Sequence, residues 1–168
     1  MSNQVLVVYA TKYGATAEIA TKIGDELREA GIEATVSSVK DVDDINPYNA
    51  IILGSGVYIG KWRKEAVKFL QSNQELLSGK AVWVFSSGPT GKGEPETLLK
   101  GWRFPKAQQA LIEKINPVNI TVFHGSLDEK ELSGLEKWMI NKVDAPTGDF
   151  RDWKSITEWA QGIANQLK

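Results

Sequence analysis

The first stretch whose residue types suit chemistry is a possible phosphate-binding turn, which reads Thr11, Lys12, Tyr13, Gly14, Ala15 and Thr16. Hydroxyls at Thr11 and Thr16 can donate to phosphate oxygens, and Gly14 lets the backbone curl around an anion. An apolar run precedes this turn and a helical pattern follows it. The unpaired N–H groups and the positive dipole end of that helix therefore face the same point. Threonine and glycine also cap helices, but a position between the first strand and the first helix favours phosphate binding.

Other common sites are excluded by what the chain lacks. It has neither Gly-x-x-x-x-Gly-Lys-Ser/Thr nor a Gly-x-Gly-x-x-Gly after the first apolar run, so nucleoside triphosphatase and dinucleotide-binding turns are unsupported. There is no cysteine, which excludes disulfides, thiol catalysis and iron–sulfur clusters. His124 is the single histidine, so neither a multi-histidine metal site nor a Ser-His-Asp triad is credible. The sequence assigns no catalytic and no metal-ligating residue.

Two further glycine-containing loops follow later apolar runs. The first consists of Ser55, Gly56, Val57, Tyr58, Ile59 and Gly60, and the second of Ser86, Ser87, Gly88, Pro89, Thr90 and Gly91. Glycines let the backbone approach a planar ring, and Tyr58 offers a flat face for stacking. Trp62 is as well suited to covering the start of a helix as to contacting a ring. Ligands of parallel sheets bind at the edge where these loops emerge, so the three loops predict one composite site.

Short apolar runs alternate with helical patterns along the chain. Strands are predicted at 5–9, 33–39, 50–54, 81–85 and 120–123, the continuously apolar runs among them being typical of strands buried on both faces. Helices are predicted at 15–30, around 66–70, at 105–115, and near the C-terminus after Asp152. Leu132, Leu135, Met139 and Val143 mark one additional helix. The pattern predicts an α/β fold with helices on both faces of a five-stranded parallel sheet.

Size and charge limit the classes of protein to which the chain could belong. A chain of 168 residues without a linker or repeat is expected to form a single domain, 1–168. The formal net charge is −1, which gives no field that would favour nucleic acid or an anionic membrane. The N-terminus lacks the features of a secretory signal, and no run is long enough to insert stably into a membrane. We therefore expect a cytoplasmic protein.

These residues resemble the flavodoxin-like family over essentially the whole chain. The resemblance rests on 5–16, on 48–58, and on the Ser-Gly-Pro-Thr-Gly loop at 87–91. It implies a three-layer, doubly wound sandwich with strand order 2-1-3-4-5, the arrangement for which flavodoxin is a known example. It also implies flavin mononucleotide (FMN), with the phosphate in the loop 11–16 and the ring between the loops 55–60 and 86–91.

The chain departs from electron-transfer flavodoxins at several positions. Tyr13 and Ala15 replace small polar residues, and Ile59 follows Tyr58 where many flavodoxins carry Gly or Asn. The C-terminal part, 136–153, resembles the flavodoxin-domain relatives of menaquinone-dependent protoporphyrinogen IX dehydrogenase. In that branch the segment after the fifth strand is basic and aromatic, whereas here 128–144 is acidic on balance.

Three functions remain open from the sequence. The first is an FMN-binding redox protein that passes electrons to a partner protein. The second is a flavoenzyme that acts on a quinone or a tetrapyrrole, as the protoporphyrinogen dehydrogenase resemblance implies. The third is a flavin-free interaction module, which is suggested by Tyr13 and Ala15 in the first turn. Whether the protein is an enzyme is therefore left open.

Overall fold

A parallel sheet forms the centre of the computed structural model, which describes residues 3–142 and 145–168. Its strands are β1 (Gln4–Ala10), β2 (Glu33–Ser38), β3 (Ala50–Tyr58), β5 (Ala81–Ser87) and β6 (Asn119–Phe123), with the two-residue β4 (Lys61–Trp62) antiparallel to β3. The order is β2-β1-β3-β5-β6. Counted over the five parallel strands this is 2-1-3-4-5, so the predicted fold is confirmed. A separate two-stranded ribbon pairs β7 (Ser126–Leu127) with β8 (Gly148–Asp149).

Within the described residues the α-helices are α1 (Ala15–Glu29), α2 (Lys64–Ser78), α3 (Pro95–Leu98), α4 (Gln109–Ile115), α5 (Gly134–Lys142) and α6 (Trp153–Leu167). The predicted helix at 105–115 is shorter than expected, because its start is a 3₁₀ turn at Lys106–Gln108. The second strand ends one residue early. There the Ser38 hydroxyl accepts the Lys40 N–H and opens a 3₁₀ turn.

Alternate side chains of β1 pack into two different helical layers. Val5 and Val7 belong to the cluster shared with α1 and α6. Leu6 and Val8 belong to the cluster shared with α2 and α4. Since neighbouring side chains of a strand point to opposite faces, a run that is apolar at every position requires helices on both sides. This explains why the first strand reads as continuously hydrophobic.

The ends of the two helices beside β1 follow from local sequence. Helix α1 stops at Glu29, and Gly31 takes the left-handed backbone (φ 85°) that commonly terminates a helix. Helix α6 begins at Asp152, whose carboxylate accepts the N–H groups of Lys154 and Ser155. Both features were predicted, and the two helices pack side by side over one face of the sheet.

The apolar face predicted for the additional helix is wrong. Leu135 is 68% exposed, whereas Ile140 is buried with Leu132 and Leu127. Leu132 precedes the helix, because a 3₁₀ turn at Glu129–Glu131 delays its start to Gly134. Val143, the last residue of the predicted stripe, lies outside the described residues. Among the helices of the described ranges, we find none with an apolar stretch that would cross a membrane.

Candidate functional site

Two adjoining cavities lie where the loops after β1, β3 and β5 meet. The smaller has a volume of about 70 Å³ and is lined by the first turn together with Gly56, Ser87 and Arg63. The larger has a volume of about 740 Å³ and lies between the loops after β3 and β5. Val57, Tyr58 and Gly88 line both. The topology thus brings the three predicted loops to one place.

The small cavity is bounded by the start of α1. Gly14 takes a left-handed conformation (φ 96°, ψ −10°), and its N–H donates to Thr11 Oγ1 over 2.9 Å. No side chain among the described residues caps this helix, in contrast to Asp152 on α6. The first N–H groups of any α-helix have no acceptor within the helix, and those of α1 also lack a capping side chain in the described ranges. A cavity of about 70 Å³ is roughly twice the volume a water molecule takes up in the liquid, and it could receive an anion of phosphate size.

Buried hydroxyls form one wall of this small cavity. Thr16 and Ser87 are both almost fully buried, and their hydroxyl oxygens lie 2.8 Å apart in a hydrogen bond. A Cβ on Gly56 would stand 3.0 Å from Thr16 Oγ1. The absence of a side chain at Gly56 thus keeps space in front of the hydroxyl pair.

Two glycines allow the loops after β5 and β6 to touch through their backbones. A Cβ on Gly125 would lie 2.5 Å from the Cα of Gly88, and one on Gly88 would lie 2.7 Å from the Val57 carbonyl. The loops are also hydrogen-bonded, from Gly125 N to Pro89 O and from Gly88 N to Phe123 O. This close packing gives the site a rigid floor made of backbone.

The loop after β3 is a hairpin with an unusual turn. Tyr58 pairs with Lys61, and both residues between them have positive φ, 50° at Ile59 and 70° at Gly60. A two-residue hairpin of this kind needs positive φ at both central positions. A β-branched residue in that region is an outlier, so the turn that borders the large cavity is strained at Ile59.

The large cavity has a predominantly apolar wall beyond the predicted loops. The segment after β5 contributes Leu98, Leu99, Lys100 and Trp102. The cavity is also lined by Leu127, Ile140, Ala145 and Pro146. A volume of about 740 Å³ with few polar groups is in the range of small-molecule sites. This volume is large enough to receive a planar ring.

Helix α5 is tied to both cavities through Glu136. Its carboxylate lies 2.7 Å from the Lys12 ammonium and accepts hydrogen bonds from the Tyr13 hydroxyl and, at 2.9 Å, from the Tyr58 hydroxyl. Lys12 Nζ also stands 3.7 Å from the centre of the Tyr58 ring. The hydrogen bond from Lys12 holds the pKa of Glu136 below its usual range. We call these four side chains the Glu136 cluster.

Arg151 fixes the outer side of the first turn. Its guanidinium donates to the Ala15 carbonyl and forms a two-bond pair with Asp149, while Glu18 lies 3.4 Å away. The Arg151 side chain is 9% exposed. Hydrogen bonding to Arg151 lowers the pKa of Asp149, so the carboxylate stays charged. The ribbon of β7 and β8 is thereby attached to the start of α1.

Most of the sequence-predicted site residues line the cavities. Those on the small cavity are Thr11, Lys12, Tyr13, Ala15, Thr16, Gly56, Val57, Tyr58, Ser87 and Gly88. The large cavity adds Ile59, Gly60, Pro89 and Thr90. The other four, Gly14, Ser55, Ser86 and Gly91, line neither. Trp62 is buried in the apolar cluster shared with α2 and α4, and its indole N–H donates to Ser86 Oγ, so it lines neither cavity.

Sequence reasoning missed several residues that line the small cavity or contact the residues lining it. Arg63, Gly125 and Glu136 come close to the first turn only through the hairpin, through β6 and through α5. Nothing in their local sequence marks them, apart from the position of Arg63 just ahead of an amphipathic helix. Their role follows from the tertiary structure.

A family model described as Flavodoxin domain matches residues 6–154. The chain belongs to the flavodoxin domain family. Its fold agrees with solved flavodoxins. A flavodoxin from the domain Archaea is 18% identical, with 98% of each chain covered and a TM-score of 0.64. Flavodoxin 1 from Bacillus cereus is also 18% identical, over 99% of this chain and 100% of that one, with a TM-score of 0.64.

Two curated relatives that the chain is similar to are named as dehydrogenases. Protoporphyrinogen IX dehydrogenase [quinone] from Escherichia coli strain K12 is 20% identical, over 96% of this chain and 95% of the relative. NAD(P)H dehydrogenase (quinone) from Nitrobacter winogradskyi is 29% identical, but the match is shorter and covers 57% of this chain and 62% of the relative. The resemblance predicted from the sequence is therefore confirmed at the level of the family.

Proposed function

We propose that this protein binds FMN and transfers electrons through it. The observation that carries the proposal is the adjoining pair of cavities, one of phosphate size at an uncapped helix start and one of ring size between two loops. The family match supports a flavin of this kind. The protein's location is proposed to be cytoplasmic, as expected from the sequence.

The residues present fit the cofactor. Gly56 keeps a side chain away from the small cavity, Gly14 allows the positive φ of the first turn, and the hydroxyl of Thr16 faces the cavity beside Ser87. The first N–H groups of α1 would hold a phosphate, because they have no acceptor within the helix and the helix dipole favours negative charge there. Residues 57–60 and 88–90 would enclose the ring.

The chain's own residues would do three things around the cofactor. A bound flavin supplies one-electron and two-electron redox chemistry. The Gly88–Gly125 backbone contact would hold the ring-binding loops in a fixed relation. The apolar wall around Trp102 would exclude water from the large cavity, and Tyr58, hydrogen-bonded to Glu136, would stay in one orientation beside it.

The direct test is a flavin titration of the purified protein. We expect a yellow protein, or an apoprotein that quenches FMN fluorescence with one site per chain. The double variant Gly14→Val with Thr16→Ala should weaken binding strongly, because it strains the turn at φ 96° and removes a hydroxyl at the cavity. Thr21→Ala is the matched control, since its exposed hydroxyl only donates to the Ala17 carbonyl one turn along α1.

A colourless protein that takes up no FMN would contradict the proposal and favour the flavin-free interaction module. Unchanged affinity in the double variant would show that the phosphate is held elsewhere. Circular dichroism of each variant separates loss of binding from loss of fold.

A second candidate is a flavoenzyme that oxidises or reduces a quinone or a tetrapyrrole. The observation in its favour is the apolar wall of Leu98, Leu99 and Trp102, which extends the large cavity beyond the loops expected at the ring. The printed names of the curated relatives, a protoporphyrinogen IX dehydrogenase and NAD(P)H dehydrogenases that use quinone, support the same reaction class.

Turnover distinguishes the two candidates. FMN-loaded protein would be supplied with protoporphyrinogen IX or NADPH and with a water-soluble quinone as acceptor. If the enzyme proposal holds, Trp102→Ala should raise KM while FMN stays bound, and Trp138→Ala, on the exposed side of α5, should not. Absence of turnover with intact reduction by a redox protein would favour the electron carrier.

A further inference from the structure

Arg63 lines the small cavity, and its side chain is 26% exposed as a whole but buries its Nε. Its Nε is buried and, among the residues that the structure describes, no side-chain or backbone acceptor is bonded to it. The nearest carboxylate, Glu65, has its oxygen 3.8 Å from Nε, at the outer limit of an ion pair. A buried donor of a charged group without an acceptor is costly, and such groups are usually satisfied by a ligand or an ordered water.

The position of Arg63 is fixed by the hairpin after β3. The chain turns at residues 59–60 and returns along β4, so that Arg63 N donates to Ser55 Oγ over 3.1 Å. This bond joins the start of α2 to the end of β3. Because it is made by the backbone, it persists when the side chain is changed.

The other cation at this cavity is already neutralised. Lys12 stands 2.7 Å from Glu136 and over the Tyr58 ring. The guanidinium of Arg63 has no comparable pairing in the described ranges. A dianionic phosphate surrounded only by backbone N–H groups and hydroxyls would lack a counter-charge, and an arginine can supply one together with directed hydrogen bonds.

We propose that Arg63 holds a phosphate group in the small cavity and thereby makes the site select a phosphorylated flavin over riboflavin. This inference rests on the proposed function, but it assigns the selectivity to a side chain outside the first turn. Hydrogen bonds to a charged group contribute enough that their loss costs about 10-fold to 100-fold in affinity.

The test is a comparison of dissociation constants for FMN and riboflavin, measured by quenching of flavin fluorescence. In Arg63→Ala the FMN constant should rise by about 10-fold to 100-fold, with the riboflavin constant changed by less than about twofold. Arg63→Lys should fall between, because it keeps the charge and loses the planar fork. Lys64→Ala is the matched control, since it removes one positive charge next to Arg63 from an exposed residue outside the cavity.

Two results would overturn the assignment. Equal weakening of FMN and riboflavin in Arg63→Ala would mean that Arg63 supports the ring loop instead of the phosphate. Unchanged FMN affinity would mean that its guanidinium does not reach the phosphate at all. Far-UV circular dichroism and thermal melting keep either result separate from misfolding.

Inorganic phosphate separates this inference from the proposed function. If wild-type protein binds no flavin, the proposed function and the flavin selectivity both fail. Phosphorus NMR of inorganic phosphate with wild-type protein then decides the anion site on its own. Phosphate binding that disappears in Arg63→Ala, and persists in Lys64→Ala, would retain Arg63 as an anion-binding residue, and its absence in the wild type would remove it.

Discussion

A single methyl group at Gly125 is expected to disrupt the floor of the candidate site. Its Cβ would lie 2.5 Å from the Gly88 Cα and 2.8 Å from the Gly88 carbonyl oxygen. Carbon atoms in contact stand about 3.5–4.0 Å apart, so the two backbones must separate by roughly 1 Å. Neither partner is the end of a flexible side chain, and both loops are held by hydrogen bonds. The strain therefore cannot be relieved by a rotamer change.

The expected cost follows from this overlap. Overpacking by one methyl group costs about 1–3 kcal/mol. For a chain of this length, 1 kcal/mol corresponds to about 3 °C in Tm. Gly125→Ala should then lower Tm by about 3–9 °C. It should also weaken flavin binding, because the loop that carries Gly88 and lines both cavities is displaced.

Gly162→Ala is the control, because it makes the same chemical change with the opposite expected sign. Gly162 is exposed within α6, and its added Cβ would meet no atom within 4 Å. Replacing glycine inside a helix should stabilise by about 0.5–1 kcal/mol. Urea unfolding followed by circular dichroism measures both variants. If Gly125→Ala is as stable as the wild type and binds flavin equally well, the close backbone packing described here is refuted.

Three other substitutions test the surroundings of the cavities. Ile59→Asn should stabilise by about 1 kcal/mol, because asparagine tolerates positive φ better than a β-branched residue, and thermal melting would show no gain if the turn is unstrained. Because Lys12 holds the pKa of Glu136 below its ordinary value, the stabilisation from their pair is present at neutral pH and is lost as the pH falls through about 4 and lower. The difference in unfolding free energy between wild type and Glu136→Gln should shrink over that range, and a constant difference would contradict the assignment. Arg151→Ala should cost about 1–2 kcal/mol by urea unfolding, since it removes the donor to the Ala15 carbonyl, and an unchanged midpoint would show that this bond adds nothing.

The sequence by itself determined the layer arrangement and the first turn. Val5 to Val8 are apolar at consecutive positions, and such a strand has no solvent-facing side, so helices must cover both faces. The first turn could be placed because its signal is local: Gly14 permits the positive φ that the turn needs. The helix ends at Gly31 and Asp152 could be placed for the same reason, since capping depends on a few neighbouring residues.

Only the tertiary structure decided which side chains complete the site. Glu136 reaches Tyr58 across a sequence separation of 78 residues, and Gly125 touches Gly88 only because β5 and β6 are neighbours in the sheet. The buried face of α5 was likewise misjudged, since Ile140 rather than Leu135 finds apolar partners. Periodicity indicates that a helix has an apolar side, but long-range packing decides which residues are buried. Within the described ranges it also decides which charged groups, such as the Arg63 Nε, have no hydrogen-bond partner.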